Sequence, residues 1–273
     1  MAKPGENPAG AQLVSIVVPA YNAAQYIGAT LNSVLAQTYT HFEVLVVDDR
    51  STDKTRDVVA EFAALDPRIR LIALERNFGG PAGPRNVGVR AAAGRWVAFL
   101  DADDIWHPDK LRLQIETLER TGAAFCSSKM VDFHDETELD FQPVTDIRTT
   151  RISFISQLVK PRTPTSSVVV AADLVRRYPF NESHTYKARE DMDCWLHCHE
   201  EIGHSIKILQ PLIGYRISPN QISGSKMEMM KRHFHVLGNY TFRSGRKLGI
   251  AAGLFTATHF ALAYYHRILR REL

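Results

Sequence analysis

The chain has 273 residues, 45% hydrophobic and 23% charged, a composition typical of a globular protein with room for a sizeable core. Residues 1–12 carry no apolar segment after a basic start, which argues against a signal peptide and predicts a disordered tail on a cytoplasmic protein. Three cysteines, an odd number, fit reduced thiols better than a disulfide framework.

The formal net charge of +3 is distributed unevenly along the chain. Residues 226–273 contain nine basic and two acidic residues, a net charge of +7, which leaves −4 for residues 1–225. This imbalance predicts an anionic partner such as a membrane surface, and the alternative is a solvated basic helix face. Nucleic acid binding is not predicted, because the aromatic residues of this segment lie among aliphatic ones.

The first hundred residues alternate between apolar runs and segments with helical spacing. Strands are predicted at 13–18, where Pro19 ends the run, and at 42–47, 69–74 and 96–100. Helices are predicted at 24–37, from the Ser51-Thr52-Asp53 cap to about 65, and at 85–93. This alternation predicts right-handed βαβ units and a parallel sheet with helices on both faces.

The second half of the chain is less regular. It predicts a helix after Pro108, a strand at 123–131, an irregular acidic stretch at 132–146, a helix at 151–159, a strand at 165–170 and a helix at 189–202. The predicted organisation is one catalytic domain at 13–225, with a nucleotide-binding half at 13–104 and an acceptor half at 105–225. A basic amphipathic helical extension is predicted at 226–273.

Polar side chains follow three of the predicted strands. Asp48-Asp49 ends the second strand, Asp101-Ala102-Asp103 ends the fourth, and Pro19, Tyr21 and Asn22 end the first. The carboxyl ends of parallel strands meet at one edge of the sheet, where ligands bind. Side chains two apart on an extended backbone point the same way, so Asp101 and Asp103 are predicted to face one Mg²⁺ or Mn²⁺ that carries a phosphate.

The combination of groups at this edge suits a nucleotide. Tyr21 could pack on the base or ribose, and Asp49 could accept from a base N–H. Arg85 follows a loop rich in glycine and proline at the start of a helix, where an anion is favoured. Taken singly, these residues could be turn residues, caps and a surface arginine. The predicted nucleotide-sugar set is Pro19, Tyr21, Asn22, Asp49, Arg85, Asp101 and Asp103.

Four motifs in this order resemble the family 2 glycosyltransferases of GT-A fold: VVPAYN at 17–22, VVDDRSTD at 46–53, RNVG at 85–88 and FLDADD at 99–104. The resemblance spans about residues 13–217 and implies an α/β fold with a mostly parallel sheet. It also implies metal-assisted, inverting transfer from a nucleotide-diphosphate sugar, with a UDP-sugar favoured. The acceptor would be a hydroxyl of a glycan or lipid-linked saccharide in cell-envelope assembly. The Gln-x-x-Arg-Trp motif of processive members is absent, which argues against polymer synthesis.

The same resemblance implies a catalytic base. The family usually uses the Asp of a Glu-Asp pair that opens a helix bearing a Trp, and REDMDCWL at 189–196 has this pattern. Asp191 is therefore the predicted base, and an exchange of roles with Glu190 stays open. Further candidates for holding the acceptor or closing the site are Glu190, Trp195, Tyr215, Arg216 and Lys226.

Other assignments remain open at this stage. A nucleotidyltransferase would need a Gly-rich loop with Lys after the first strand. A sugar-nucleotide-binding protein without activity would be expected to lack the metal acids or the base. The Cys and His residues at 194–199 favour core packing over zinc binding.

The apolar segment at 248–265, flanked by basic residues, is a poor membrane span. It predicts either peripheral attachment to the inner face of the membrane or packing on the body or on a second subunit as a homodimer.

Overall fold

The computed structural model describes residues 12–160, 163–217 and 226–269, with the backbone alone at Lys226 and 262–269. Four parallel strands form the first half of the sheet in the order β3-β2-β1-β4. They are β1 (Val14–Ala20), β2 (Phe42–Asp48), β3 (Ile69–Ala73) and β4 (Trp96–Phe99). The connecting helices are α1 (Ile27–Leu35), α2 (Thr55–Leu65) and α3 (Ala82–Ala91). The predicted βαβ units are confirmed.

The second half extends the same sheet with mixed pairing. Its elements are β5 (Ile105–Trp106), α4 (Lys110–Thr121), β6 (Phe125–Phe133), β7 (Thr149–Ser153), α5 (Phe154–Val159), β8 (Val169–Ala171), α6 (Ala172–Arg177), α7 (Glu190–Ile202) and β9 (His204–Arg216). Strand β8 lies antiparallel between β4 and β6, and β9 pairs with β5, β6 and β7. Within the described residues the result is one nine-stranded sheet, and the predicted α/β class is confirmed.

Helices cover both faces of the sheet because alternate residues of each buried strand point to opposite sides. On one side Ile16 and Val18 of β1 pack with α1 and α4, and on the other Val17 packs with α3, α6 and α7. The polar motifs lie at the carboxyl ends of β1, β2 and β4.

The C-terminal helices α8 (Lys226–Asn239) and α9 (Ala251–Leu269) pack on the body of the protein. A third apolar cluster joins them to α5 and α7. It contains Leu158, Met192, Leu196, Val236, Leu237, Tyr240 and Ala252. The inner faces of both helices are therefore core, as one of the two predicted alternatives stated. None of the helices in the described ranges combines the length and apolarity that a membrane span needs.

The N-terminal boundary and the end of β1 differ from the prediction. The Tyr39 hydroxyl donates to the Gln12 carbonyl at 2.6 Å, and Trp96 Nε1 donates to Gln12 Oε1 at 2.6 Å, so Gln12 is not part of a disordered tail. Residues 1–11 lie outside the described residues. Pro19 does not end β1, which continues to Ala20. The missing N–H is tolerated because β4 pairs with β1 only as far as Val17.

Two further assignments were wrong in the second half. Residues 151–153 belong to strand β7, so the helix predicted at 151–159 begins at Phe154 with Ser153 as its cap. The strand predicted at 165–170 is a 3-10 turn, Thr165–Ser167, followed by β8. Apolar runs this short do not distinguish helix from strand, and the pairing with β9 decided the first of these segments.

Candidate active site

The ends of β1 and β2 are joined by side chains from the predicted nucleotide set. Asn22 has a left-handed backbone with φ 49°, its N–H donates to Ser51 Oγ at 2.9 Å, and its Oδ1 accepts from the Thr52 N–H at 2.8 Å. The neighbouring Tyr21 is 53% exposed. Pro19 is buried inside the strand. Asn22 therefore holds the loop together, and Tyr21 is the ring that can meet a ligand.

Asp49 connects the same edge to the loop after β3. Its Oδ1 accepts from the Phe78 N–H at 2.8 Å, and Asn77 Nδ2 donates to the Asp49 carbonyl at 2.7 Å. Burial raises the pKa of Asp49, while backbone N–H groups of Phe78 and Gly79 act in the opposite direction. Asp49 thus holds the loop after β3 against the end of β2.

The carboxylates after β4 lie on a tight turn and not on the extended backbone that the prediction assumed. The strand ends at Phe99, and the Asp104 N–H donates to the Asp101 carbonyl at 3.1 Å. The two strands that end in acids, β2 and β4, are not neighbours, because β1 lies between them. Asp101 and Asp103 are nevertheless close: burial and the Asp101 carboxylate raise the pKa of Asp103 to about 6.

Asp104 anchors this turn, a role that sequence reasoning missed. Its carboxylate is fully buried and accepts from Ser166 Oγ at 2.6 Å and from the Arg216 N–H at 3.1 Å. Burial and the two neighbouring carboxylates, Asp101 and Asp103, raise the pKa of Asp104 well above its usual range. The sequence showed Asp104 as a third acid in the FLDADD motif, but it did not show which residues bind its carboxylate.

Arg216 supports the turn from β9. Its Nε donates to the Asp103 carbonyl at 3.0 Å, its Nη2 pairs with Glu136 Oε1 at 2.7 Å, and its guanidinium packs on Phe133. The side chain is buried, so Arg216 holds the acids in place rather than closing the site. Burial and the carboxylates of Asp104, Asp101 and Asp103 raise the pKa of the neighbouring Tyr215.

Arg85 joins the two halves of the site. From the first turn of α3, its Nη2 pairs with Asp101 Oδ1 at 2.7 Å and its Nη1 with Glu190 Oε1 at 2.9 Å. Both Arg85 and Glu190 are 4% exposed. Burial alone lowers the pKa of Arg85, but the carboxylates of Asp101 and Glu190 raise it overall. The acids after β4 and the start of α7 are thus linked through one guanidinium.

We expect Arg85→Met to lower the free energy of unfolding by about 3 to 5 kcal/mol, because it leaves the buried Glu190 carboxylate without its counter-ion. Urea denaturation measures the change, and Glu190→Gln in the same background should recover part of it. Arg177→Met is the matched control, because Arg177 also contacts two carboxylates, Asp173 and Glu201, but is 48% exposed. A loss as small as that of the exposed control, about 1 kcal/mol or less, contradicts the prediction.

The two acids that open α7 differ in their surroundings. Glu190 is buried and bound to Arg85, and burial raises its pKa while Arg85 opposes the shift. Asp191 is half-buried, and its Oδ2 accepts from Thr165 Oγ1 at 3.1 Å. The 3-10 turn Thr165–Ser167 therefore contacts both sides of the site, because Ser166 Oγ also accepts from the Asp101 N–H at 3.1 Å. Sequence reasoning missed this turn, since it assigned these residues to a strand.

Trp195 is not at the site, contrary to the prediction. It is fully buried and packs edge-on against Phe99, Phe125 and Phe180 at centroid distances of 5.2 to 5.6 Å. The neighbouring thiols and imidazoles are also packing groups: Cys194 Sγ donates to the Tyr178 carbonyl, and both ring nitrogens of His199 have partners. Lys226 is the first residue of α8, and its side chain lies outside the described residues.

The carboxylates of Asp101 and Asp103 suit a Mg²⁺ or Mn²⁺ ion that is also bound by a substrate. Among the described residues no group of three acidic, His or Cys side chains forms a closed metal site. Asp101 and Asp103 supply two carboxylates, and such ions commonly bind one or two carboxylates, water and substrate phosphates. Arg85 occupies one oxygen of Asp101, which leaves Asp103 as the acid better placed for an ion.

Comparison with known proteins assigns the chain to a family. The sequence model of the family "Glycosyl transferase family 2" matches residues 15–183, more than half of the chain. The chain is a family 2 glycosyltransferase. The predicted family and enzyme class are confirmed, and all four motifs that carried the resemblance lie within the matched range.

Two curated relatives illustrate the range of this family. The chain is 34% identical over 229 residues to the UDP-Glc:alpha-D-GlcNAc-diphosphoundecaprenol beta-1,3-glucosyltransferase WfgD of Escherichia coli, covering 84% of this chain and 86% of the relative. It is 42% identical over 160 residues to the succinoglycan biosynthesis protein ExoO of Rhizobium meliloti, covering 59% of this chain and 44% of the relative. The first similarity extends over nearly the whole of both chains.

Solved structures share the fold at lower identity. TarS of S. aureus in complex with UDP-GlcNAc has a TM-score of 0.68 and 22% identity, covering 82% of this chain and 65% of that one. The mannosyltransferase PcManGT of Pyrobaculum calidifontis, in complex with GDP-Man and Mn²⁺, has a TM-score of 0.63 and 18% identity, covering 94% and 74%. These likenesses confirm the GT-A fold.

Proposed function

We propose that this glycosyltransferase transfers a sugar, with inversion, from a UDP-sugar to a hydroxyl of a saccharide that is linked to a lipid through a diphosphate. The observation that carries the proposal is the Arg85 bridge, which links the acids after β4 to the Glu190-Asp191 start of α7. In the proposal, the donor-binding acids and the base would belong to one ion-paired unit. The donor and acceptor named for WfgD support the substrate classes, since that relative is similar over 86% of its length.

In this proposal Asp191 is the base. Its carboxylate is half-buried at the N-terminus of α7, where the helix dipole stabilises negative charge. It would take the proton of the acceptor hydroxyl as that oxygen attacks the anomeric carbon on the face opposite the leaving diphosphate. Glu190 is less suited to this role, because Arg85 already binds its Oε1 and the side chain is buried.

Asp103, with Asp101, would hold a divalent ion on the donor diphosphate. A bound Mn²⁺ or Mg²⁺ supplies positive charge that stabilises the departing nucleotide. Tyr21 and Asp49 would contact the nucleoside. Asp104, Ser166 and Arg216 keep the turn that carries the acids in its position.

The test is a transfer assay with purified protein, Mn²⁺, a panel of UDP-, GDP- and dTDP-sugars, and a synthetic α-GlcNAc-diphosphate-lipid. We expect one new glycoside from a UDP-sugar, with inverted anomeric configuration by NMR, and no product when EDTA is present. Retained configuration contradicts the proposed chemistry. If the protein binds a UDP-sugar tightly but transfers it to none of several lipid-linked saccharides, it is a binding protein instead. If it releases pyrophosphate from a nucleotide and a sugar phosphate, it is a nucleotidyltransferase.

The outer faces of α8 and α9 support peripheral attachment to the inner face of the cell membrane. Phe234 is 50% exposed, Ile250 99% and Leu254 69%, so these side chains contribute little to the core. Exposed basic residues lie near them along the chain, namely Lys231, Arg243, Arg246 and Lys247. Apolar side chains bordered by basic groups suit an anionic lipid surface, where the lipid-linked acceptor would be found.

We expect the protein to float with vesicles that contain phosphatidylglycerol, to lose this binding at high salt, and to ignore pure phosphatidylcholine. Ile250→Glu with Leu254→Glu should abolish flotation without lowering the melting temperature. Leu65→Glu is the control, since Leu65 is 86% exposed at the end of α2. Flotation that survives the double substitution contradicts the assignment. A change of oligomeric state without a change in flotation identifies this face as a homodimer contact.

A further inference from the structure

The 3-10 turn Thr165–Ser167 contacts both the acids after β4 and the proposed base. Its middle residue, Ser166, belongs to the first contact, because its Oγ donates to the buried carboxylate of Asp104 at 2.6 Å. The preceding residue, Thr165, makes the second contact, because its Oγ1 donates to Asp191 Oδ2 at 3.1 Å. Two consecutive side chains of one turn therefore connect the two acidic groups of the site.

The 3-10 turn is itself held in place by side chains of β5 and α4. Trp106 Nε1 donates to the Ser166 carbonyl at 2.9 Å, and Gln114 Nε2 donates to the Ser167 carbonyl at 2.8 Å. All three residues of the turn are buried, and Thr165 is β-branched, which restricts the rotation of its side chain. The Thr165 hydroxyl is therefore a donor whose position is set by the backbone of the turn.

The Asp191 carboxylate has few other constraints. Its Oδ1 accepts from the N–H of the next residue, Met192, at 2.7 Å, and in the described part of the chain the Thr165 bond is the one it receives from outside α7. Burial lowers the pKa of Arg189, and the nearby Asp191 carboxylate opposes this shift, but no hydrogen bond joins these two described side chains. The orientation of the carboxylate thus depends on the Thr165 hydroxyl.

We propose that Thr165 is a positioning residue for the base: it orients the Asp191 carboxylate and fixes its separation from the acids after β4. This inference rests on the proposed function and adds a residue that acts through Asp191. Inverting transfer requires the attacking hydroxyl and the leaving diphosphate on opposite faces of the sugar, so the base must be held at a set distance from the acids that bind the donor. Consecutive residues of one rigid turn supply that distance.

Thr165→Val tests the inference, because valine has nearly the same shape and lacks the hydroxyl. We expect the turnover number to fall about tenfold, the scale of one lost hydrogen bond to a charged group, while both KM values and the donor affinity in Mn²⁺ stay within about twofold. Thr165→Ala should behave in the same way, and Thr165→Ser, which keeps the donor, should restore most of the turnover. Thr117→Val is the matched control, because this buried hydroxyl donates to the Leu113 carbonyl within α4, and its loss should not change turnover.

The effect should also depend on the carboxylate of the base. In an Asp191→Asn background, adding Thr165→Val should change turnover less than about twofold, because the hydroxyl acts through a group that has already been lost. A purely structural role of Thr165 predicts equal losses in both backgrounds, accompanied by a lower melting temperature.

Two outcomes overturn the inference and leave the proposed function intact. The first is wild-type turnover in Thr165→Val while Asp191→Asn is impaired, and the second is an equal loss from Thr165→Val in both backgrounds. If the wild-type protein transfers no sugar, or if Asp191→Asn keeps the wild-type turnover, the proposed function fails and the inference falls with it.

Discussion

Replacing Asp191 with Asn is expected to lower the turnover number about 10²-fold or more, the usual scale for the loss of a general base. Asparagine has the same shape and keeps an oxygen that can accept from Thr165, so the local structure should persist. The amide cannot take a proton from the acceptor hydroxyl. Donor affinity should therefore stay within about twofold, and binding and chemistry should separate at this residue.

Steady-state kinetics with both substrates, together with calorimetry of UDP-sugar binding, measure this separation. Asp193→Asn is the matched control, because Asp193 is a buried carboxylate on the same turn of α7, where burial raises its pKa to about 6. Its Oδ1 lies 3.9 Å from Nε2 of the His197 imidazole, and its substitution should leave turnover nearly unchanged. If donor affinity collapses in Asp191→Asn while turnover falls less than tenfold, Asp191 is a binding residue and the base is Glu190 or Asp193.

The second large effect is expected at Asp103, where substitution by Ala should abolish metal-dependent donor binding and transfer. The Arg216 guanidinium holds the backbone carbonyl of Asp103, so the turn should keep its shape when the side chain is removed. Asp101→Ala should have a smaller effect on metal binding, since one oxygen of Asp101 is already paired with Arg85. The carboxylate of Asp103 therefore carries most of the predicted role.

Calorimetry with UDP-sugar in Mn²⁺ and in EDTA measures the effect directly. In Mn²⁺ the Asp103→Ala protein should bind the donor as weakly as the wild type does in EDTA. Asp173→Ala, an exposed acid on α6, is the control and should retain the metal-dependent gain. Equal donor affinity in wild type and Asp103→Ala with Mn²⁺ present refutes the assignment of Asp103 to the metal.

The sequence by itself was sufficient to predict the four parallel strands and the connecting helices of the first half of the sheet. Runs such as 44–47 are apolar on both faces, and this pattern specifies buried parallel strands because a one-sided strand would alternate. The motifs at the ends of these strands were sufficient for the family, which the match over 15–183 confirmed. The sequence predicts these motifs because the polar residues of each strand end lie within a few positions of one another along the chain.

Only the tertiary structure decided how the acids are held and which of them are free. Asp104 and Ser166 are 62 positions apart, and Arg85 and Glu190 are 105 apart, so no local pattern announces their contacts. Two residues that the resemblance had placed at the site are buried in the structure. Trp195 lies in the core, and Arg216 supports the turn that carries the acids after β4. These outcomes depend on desolvation and on partners from other elements. Chain order does not contain that information. It comes from the packing of β8 and α7 against β4 and of β9 against the turn that follows β4.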